Sequence, residues 1–320
     1  MALSEFRLIE HYFEQRRLGR EDVVLGIGDD AALLRVPEGM LLVTAVDTLI
    51  AGVHFPEDTP SSAVGHKVLA VNLSDLAAMG AEPAWATLSL SMPEPDEAFL
   101  AGFCDGLFAL AGECGLELVG GDTVRGPLVL TLQLHGFVPE GEALTRNGGC
   151  PGDLLYVSGT LGDAAAGLEL LQGGKVEGGA AEWLRQRLDR PTPRLALGDA
   201  LCGIATACID ISDGLCADVS HIMERSHLGC EIEVASLPLS AELLAVKGEV
   251  AARGLALNGG DDYELCFSVP PQREREVLRL AASLGVLLTR IGELTNEVGV
   301  LRVDGEPVQG SGYDHFRENR

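Results

Sequence analysis

Aspartates recur wherever the chain leaves an apolar run or a glycine turn. They are Asp29 and Asp30 in Gly26-Ile27-Gly28-Asp29-Asp30, Asp47 closing 41–47 (LLVTAVD), Asp122 in Gly120-Gly121-Asp122-Thr123, Asp210 and Asp213 in 209–215 (IDISDGL), and Asp261 and Asp262 in 259–265 (GGDDYEL). Asp75 joins them at helical spacing from Asn72. A single acid in such a place is ordinarily solvated or caps a helix. Several that converge repel one another unless a cation lies between them. Oxygen-only donors suit a hard ion such as Mg2+, which completes its shell with water and phosphate oxygens. Such an ion inverts the local charge, so an acidic site can hold an anionic nucleotide.

Other phosphate-binding signatures are missing. Gly173-Gly174-Lys175 lacks the spacing and the hydroxyl residue of a P-loop, and Ala31 stands where a dinucleotide fingerprint begun at Gly26 would need its third glycine. The H-R-D and D-F-G elements of protein kinases are absent too. Cations are few. Arg146, after Thr145, could take a phosphate bidentately, with an ordinary loop arginine as the competing reading. Lys67 is expected on a solvated helix face, and His54 in Val53-His54-Phe55 is by itself as well read as structural.

The chain has 320 residues, with 48 Asp plus Glu against 23 Lys plus Arg, a formal net charge of -25. That balance argues against nucleic acid, which needs a basic stripe, and against docking on an anionic membrane. With 47% hydrophobic and 22% charged residues the composition is that of a folded protein. The 40 glycines follow no fixed repeat and gather in short loops beside the acids. Charges break up the apolar residues at the N-terminus, so no signal-peptide core is expected, and no run is long enough to span a membrane. Eight scattered cysteines without a C-x-x-C pair suit reduced thiols, and a cytoplasmic location is expected.

The elements that must carry the acids follow from periodicity. Helices are expected over 4–18, 61–79 and 95–113, and strands over 41–47, 84–91 and 128–138. Gly120–Thr123 reads as a tight loop. Turn formers crowd 147–152 (NGGCPG), which divides the chain into domains at 1–148 and 149–320. The second part alternates strands (154–158, 208–211, 230–234, 263–269, 286–291) with helices (163–172, 194–206, 215–226, 240–252, 271–284). The fold class is α/β (α+β), sheets covered by helices.

In order and spacing, 26–32 (GIGDDAA), 46–55 (VDTLIAGVHF), 70–85 (AVNLSDLAAMGAEPAW), 120–123 (GGDT), 144–146 (LTR), 209–215 (IDISDGL), 259–265 (GGDDYEL) and 312–316 (GYDHF) resemble the thiamine-monophosphate kinase family of the aminoimidazole-ribonucleotide-synthetase-like superfamily. The resemblance runs along essentially the whole chain. It implies two domains, an N-terminal one whose strands join a partner's in an intersubunit β-barrel of a homodimer, and a C-terminal α/β one. It implies phosphoryl transfer from ATP, the co-substrate, to thiamine monophosphate. The transfer would be direct and in line, without a covalent nucleophile, in the last step of thiamine diphosphate biosynthesis. Carried over by position, Asp30, Asp47, Asp75, Asp122, Asp210 and Asp213 match ligands of several Mg2+ ions. Gly121, Asp122, Arg146 and Ser212 match ATP contacts, and His54 and Asp261 match substrate contacts. Tyr313 or Phe316 matches an aromatic that stacks on the thiamine rings. The chain departs from the pattern at Ala45-Val46-Asp47, where relatives often carry hydroxyl residues before the acid. A side-chain ligand at Ala45 or Val46 is thereby excluded. Asp261 also stands where some relatives have Glu.

Three other readings remain. A sister enzyme would instead make selenophosphate or aminoimidazole ribonucleotide; the former would want a reactive cysteine in an N-terminal glycine-rich loop, whereas the first cysteine here is Cys104, inside an expected helix. A metal-dependent phosphohydrolase would also use clustered carboxylates. A Mg2+-stabilised scaffold would not gain stability from MgATP.

Overall fold

In the first unit of the molecule, Met1–Leu76 with Ala81–Gly141, one sheet is packed on two helices that touch backbone to backbone. The computed structural model describes residues 5–16, 19–173 and 178–309, without the side chains of Glu5 and Phe6. Tyr313 and Phe316 therefore lie outside the described residues. The unit begins with α1 (Glu5–Ile9), continued by a π-turn over Glu10–Glu14, and the short strands β1 (Val23–Leu25) and β2 (Leu33–Leu34). Next come β3 (Met40–Ile50), α2 (Ser61–Ala78), β4 (Glu82–Met92), α3 (Glu97–Glu113), β5 (Glu117–Arg125) and β6 (Val129–Pro139). Among the described residues the main sheet has the order β3-β6-β4-β5, antiparallel except for the β4–β5 pair.

Strand alternation gives this sheet two unlike faces. Leu49, Leu88, Leu90, Leu130, Leu132 and Leu134 are buried on one of them. Helices α2 and α3 cross so closely that a Cβ on Gly65 would lie 2.0 Å from the Phe103 carbonyl oxygen, and one on Gly106 1.9 Å from that of Ser62. Only glycine permits that crossing. Asp96 caps α3 by accepting the Ala98 and Phe99 N–H groups. On the other face β1 and β2 cover one end, where Val23, Ala32 and Leu34 pack against Trp85, Val119 and Phe137. The Trp85 indole N–H donates to Asp22 at 2.9 Å. Arg20 binds the same carboxylate through two nitrogens, at 3.0 and 2.7 Å.

Three expectations for this unit are corrected. Strand β3 runs on to Ile50, because Thr48, Leu49 and Ile50 continue the alternation past Asp47, so this acid sits inside a strand. Residues Gly120–Thr123 belong to β5 and form no loop. The glycine there is required by packing, since a Cβ on Gly121 would come within 2.0 Å of the Leu88 carbonyl oxygen on β4. Lys67 is buried, only 2% exposed, because α2 is covered on most of its surface.

The second unit, Ala77–Gly80 with Glu142–Arg320, is built on one wide sheet. Its elements are β7 (Leu154–Ser158), α4 (Asp163–Gln172), α5 (Gly179–Asp189), α6 (Leu195–Leu201), β8 (Ala207–Ile211), α7 (Leu215–Ser226) and β9 (Gly229–Ile232). They continue with α8 (Ala241–Asn258), β10 (Glu264–Val269), α9 (Glu274–Leu284), β11 (Leu288–Thr295), β12 (Leu301–Val303) and β13 (Glu306–Val308). Among the described residues the strand order is β13-β12-β9-β11-β7-β10-β8, antiparallel apart from the β12–β9 pair. Every residue of β7, β8 and β10 is buried. On one face Val157, Ile209, Ile211, Cys266 and Ile291 pack with Val219 and Ile222 of α7. On the other, Tyr156, Leu265 and Phe267 pack with Leu197 and Leu201 of α6 and Val277 of α9. Helix α8 continues to Asn258, past a kink at Gly248. No described helix is long and apolar enough to cross a membrane.

Candidate functional site

The first unit carries its acids on strands, a bend and a helix. Asp30 is exposed in the bend between β1 and β2, where its N–H donates to Asp29 Oδ1 at 2.8 Å. Asp47 on β3 is opposite Leu132, which is opposite Leu88, so it shares the leucine-rich face that the helices cover. Asp122 on β5 is opposite Ser89, Ser89 is opposite Thr131, and Thr131 is opposite Thr48. The Thr48 and Thr131 hydroxyls bond at 2.8 Å, which confirms the shared face. Asp122 is therefore on the open, polar face. It lies three strand spacings from Asp47, roughly 14 Å by sheet geometry.

Asp75 is on α2, half-buried, one turn from the fully buried Asn72, whose amide donates to the Val68 carbonyl at 3.0 Å. The Leu76 side chain of α2 reaches Gly136 of β6, so the Asp47 face is the one this helix covers. His54 sits in the turn after β3. Its Nδ1 accepts the Ile50 N–H at 3.0 Å, which puts the proton of the neutral ring on Nε2.

The second unit presents its candidates on two loops bonded to each other. Strand β8 delivers Asp210, opposite Leu265 of β10 and 5% exposed. The chain then turns through Ser212, Asp213 and Gly214 into α7. The Asp261 N–H donates to the Ser212 carbonyl at 2.9 Å, and the Tyr263 N–H donates to that of Ile211 at 2.8 Å. Asp261 and Tyr263 both have positive φ, 69° and 50°, which few non-glycine residues adopt. The Tyr263 hydroxyl donates to Asp261 Oδ1 at 3.1 Å. Arg146 is exposed. Its neighbour Thr145 accepts the Cys208 N–H at 2.9 Å, toward the start of β8, while Asp213 lies beyond that strand's end.

Sequence reasoning did not single out Asp218 or Glu264 beneath these loops, and it gave Asp262 no role apart from Asp261. Asp218 of α7 accepts the N–H groups of Ser212, Asp213 and Gly214, all on Oδ2 and each at 3.1 Å. Burial first, then the charges of Asp210 and Asp213, push its carboxyl up to about 8. Asp262 Oδ2 accepts the Gly162 N–H at 2.7 Å, at the start of α4. Its Oδ1 has no hydrogen-bond partner among the described residues, and burial raises this carboxyl well above the usual range. Glu264, fully buried, accepts from Arg194 at 2.5 and 2.6 Å, from Arg187 at 2.8 Å and from the Ser158 hydroxyl at 2.6 Å. An acid in the first turn of a helix, where N–H groups are unpaired, was the one sequence signal for Asp218. Glu264 gave none, because its arginines are 70 and 77 residues away in sequence. Among the described residues no three His, Cys, Asp or Glu side chains form a group able to hold a metal ion.

Two family models match the chain. They are "AIR synthase related protein, N-terminal domain" over residues 28–138 and "AIR synthase related protein, C-terminal domain" over 150–304. Thiamine-monophosphate kinase of Escherichia coli is 51% identical, over 99% of both chains. The chain belongs to the thiamine-monophosphate kinase family. A crystal structure of thiamine-monophosphate kinase from Stenotrophomonas maltophilia superposes with a TM-score of 0.90 at 49% identity, covering 96% of this chain and 99% of that one. The structure of AaThiL complexed with AMPPCP and TMP superposes with a TM-score of 0.80 at 35% identity, covering 99% of both.

Proposed function

We propose that this protein transfers the γ-phosphoryl group of ATP to thiamine monophosphate, giving ADP and thiamine diphosphate, in the last step of thiamine diphosphate synthesis. The observation that carries this reading is the bonding of the Ser212–Gly214 loop to Asp261, in a chain 51% identical to a thiamine-monophosphate kinase over 99% of its length. In the reading, Ser212 contacts ATP and Asp261 the substrate, so one pair of loops carries contacts to both reactants. AMPPCP is an ATP analogue, and its occurrence with TMP in the complex at 35% identity supports the same pair of reactants.

Asp30, Asp47, Asp75, Asp122, Asp210 and Asp213 would hold Mg2+, for which all-oxygen donors fit. Since Asp47 and Asp122 lie on opposite faces and roughly 14 Å apart, more than one ion is needed. The metal, when bound, neutralises phosphate charge. Gly121, Asp122 and Arg146 complete the nucleotide contacts. Arg146 offers a fork suited to phosphate oxygens. His54 donates from Nε2 to the substrate, and Tyr313 or Phe316 stacks on the thiamine rings.

No residue is needed as covalent carrier. Burial drives the Cys104 and Cys230 thiols up to about 12, far from a reactive thiolate. Direct in-line transfer, with catalysis by positioning, fits this inventory. We read the protein as a homodimer. The open face of the first sheet leaves Val46 58% and Val124 46% exposed on its outer strands, surface that a second copy would cover by completing a barrel. The N-terminal domain (1–148) then carries dimerisation and metal, and the C-terminal domain (149–320) completes the substrate site. Eight free cysteines suit the cytoplasm.

The test is incubation of purified protein with ATP and thiamine monophosphate over a range of Mg2+. Thiamine diphosphate should form only with metal and ATP. Phosphate release from thiamine monophosphate without ATP would favour the phosphohydrolase instead.

A further inference from the structure

Asp218 has no part in the reading above, yet it is the group on which the loop before α7 is hung. The loop follows a strand whose residues are all buried, and its Gly214 has a φ of 119°. A Cβ on Gly214 would sit 2.8 Å from the Asn258 carbonyl, so the backbone there is pressed against the end of α8. Gly214 has no side chain with which to cap α7, and the helix opens with its first N–H groups directed at the loop. Asp218, from within that helix, instead serves the loop that leads into it. Its own N–H donates to the Gly214 carbonyl at 2.9 Å, and its side chain turns back to take the three loop N–H groups on one oxygen. It is 3% exposed, so water does not compete for those donors.

The bonds then run onward. The Ser212 carbonyl, fixed by its own peptide's neighbours, accepts the Asp261 N–H at 2.9 Å. Gly260 lies so close that a Cβ on it would come within 2.5 Å of the same Ser212 oxygen. A shift of the 212–214 backbone therefore cannot be absorbed between the two loops and must move Asp261.

We infer that Asp218 is a positioning residue for both reactants. Its Oδ2 sets Ser212 and Asp213 directly and Asp261 through the Ser212 carbonyl, so that one buried carboxyl oxygen aligns the nucleotide, metal and substrate contacts together. This rests on the roles given to Ser212, Asp213 and Asp261 under the proposed function, and the experiment separates the two ideas.

The variants are Asp218→Ala, which removes the acceptor, and Asp218→Asn, which keeps one acceptor oxygen in a side chain of nearly the same shape. Amide hydrogen exchange on the full chain without ligands reads the loop whatever the enzyme does. Exchange at Ser212, Asp213, Gly214 and Asp261 should speed up by about a hundredfold in Asp218→Ala, which leaves buried N–H groups without an acceptor, and by less in Asp218→Asn, whose amide oxygen can still accept. The N–H groups of β7 and β10 should keep wild-type protection. Steady-state assays should show the Mg2+ half-saturation point and the KM values for ATP and thiamine monophosphate rising together, about tenfold in Asp218→Ala, because one loop serves all three. Wild-type exchange at 212–214 in both variants would overturn the inference. So would wild-type Mg2+ and KM values beside an active wild type. If Asp218→Ala does not fold, Asp218→Asn alone decides by the same two readouts. A wild type inactive on thiamine monophosphate would instead refute the proposed function and leave the exchange result to judge Asp218.

Discussion

The acids of the first unit and those of the second are held in place by different means. Asp47 and Asp122 sit on paired strands, where register alone fixes their position and their faces. Asp213 and Asp261 sit on loops, and each loop is tied from below by a buried carboxylate or a charged network. β3 and β5 are the outer strands of their sheet, and the ladder each makes with its one neighbour is enough to set its register. A loop leaving a fully buried strand has N–H groups that no ladder takes, and an unpaired buried N–H is costly. The loop acids of the second unit thus rest on buried acidic side chains beneath them, whereas Asp47 and Asp122 are placed by strand register.

The contrast can be broken most forcefully at Glu264. Ala there would leave Arg194 buried without its acceptor and Arg187 with only Asp163, at 3.8 Å. Glu264→Ala should destabilise the fold by about 3–5 kcal/mol, the usual result of removing one partner of a buried ion pair. Denaturant midpoints read this directly; a loss under about 1 kcal/mol would mean that the network is incidental.

In the first unit the comparable weakness is steric. Gly106→Ala brings a methyl 1.9 Å from the Ser62 carbonyl oxygen, and a stability loss of about 1–3 kcal/mol is expected from overpacking. An unchanged melting temperature would show that α2 and α3 can separate freely.

A smaller effect concerns acid. Arg20, by hydrogen bond, holds the Asp22 carboxyl below its ordinary value, with help from the Trp85 N–H. The folded pKa is the lower one, so this stability is complete above the ordinary carboxylate range, about pH 4, and is lost as pH falls through the folded value. Asp22→Asn should flatten the acid side of the stability curve. Identical slopes for variant and wild type between about pH 4 and 2 would remove Asp22 from the acid response.

The smallest stability effect belongs to Asp122. It is exposed on the open face, so Asp122→Ala should change folding stability by no more than about 0.5 kcal/mol. Turnover should nevertheless disappear. A variant with near-normal turnover would take Asp122 out of the metal set, and one that unfolds would erase the distinction between the two units.

Much of the second unit was legible from periodicity. The spans 154–158, 163–172 and 215–226 are those of β7, α4 and α7. Helix α5 and the short strands β12 and β13 were not foreseen. In β12 and β13 the runs are three residues long, too short for alternation to register. Asp47 misled because an acid inside a strand looks like its end. Gly120-Gly121 misled because glycine needed for close strand packing has the same signature as glycine in a turn. The exposed candidate acids were readable from their motifs. Asp218, Asp262 and Glu264 were not singled out for the role they have, because what identifies them is a partner on another element, brought near only by folding.

The glycine crossing of α2 and α3 has a bearing on Asp75. That residue lies roughly 15 Å along α2 from Gly65, at 1.5 Å per residue. The crossing acts as the fulcrum of a lever with Asp75 toward its far end. A wedge the size of a methyl group at the fulcrum would displace a carboxylate that the proposed function gives to metal. Two hydrogen atoms, standing where other residues have side chains, thus fix the crossing from which the helix carries Asp75 more than two turns onward.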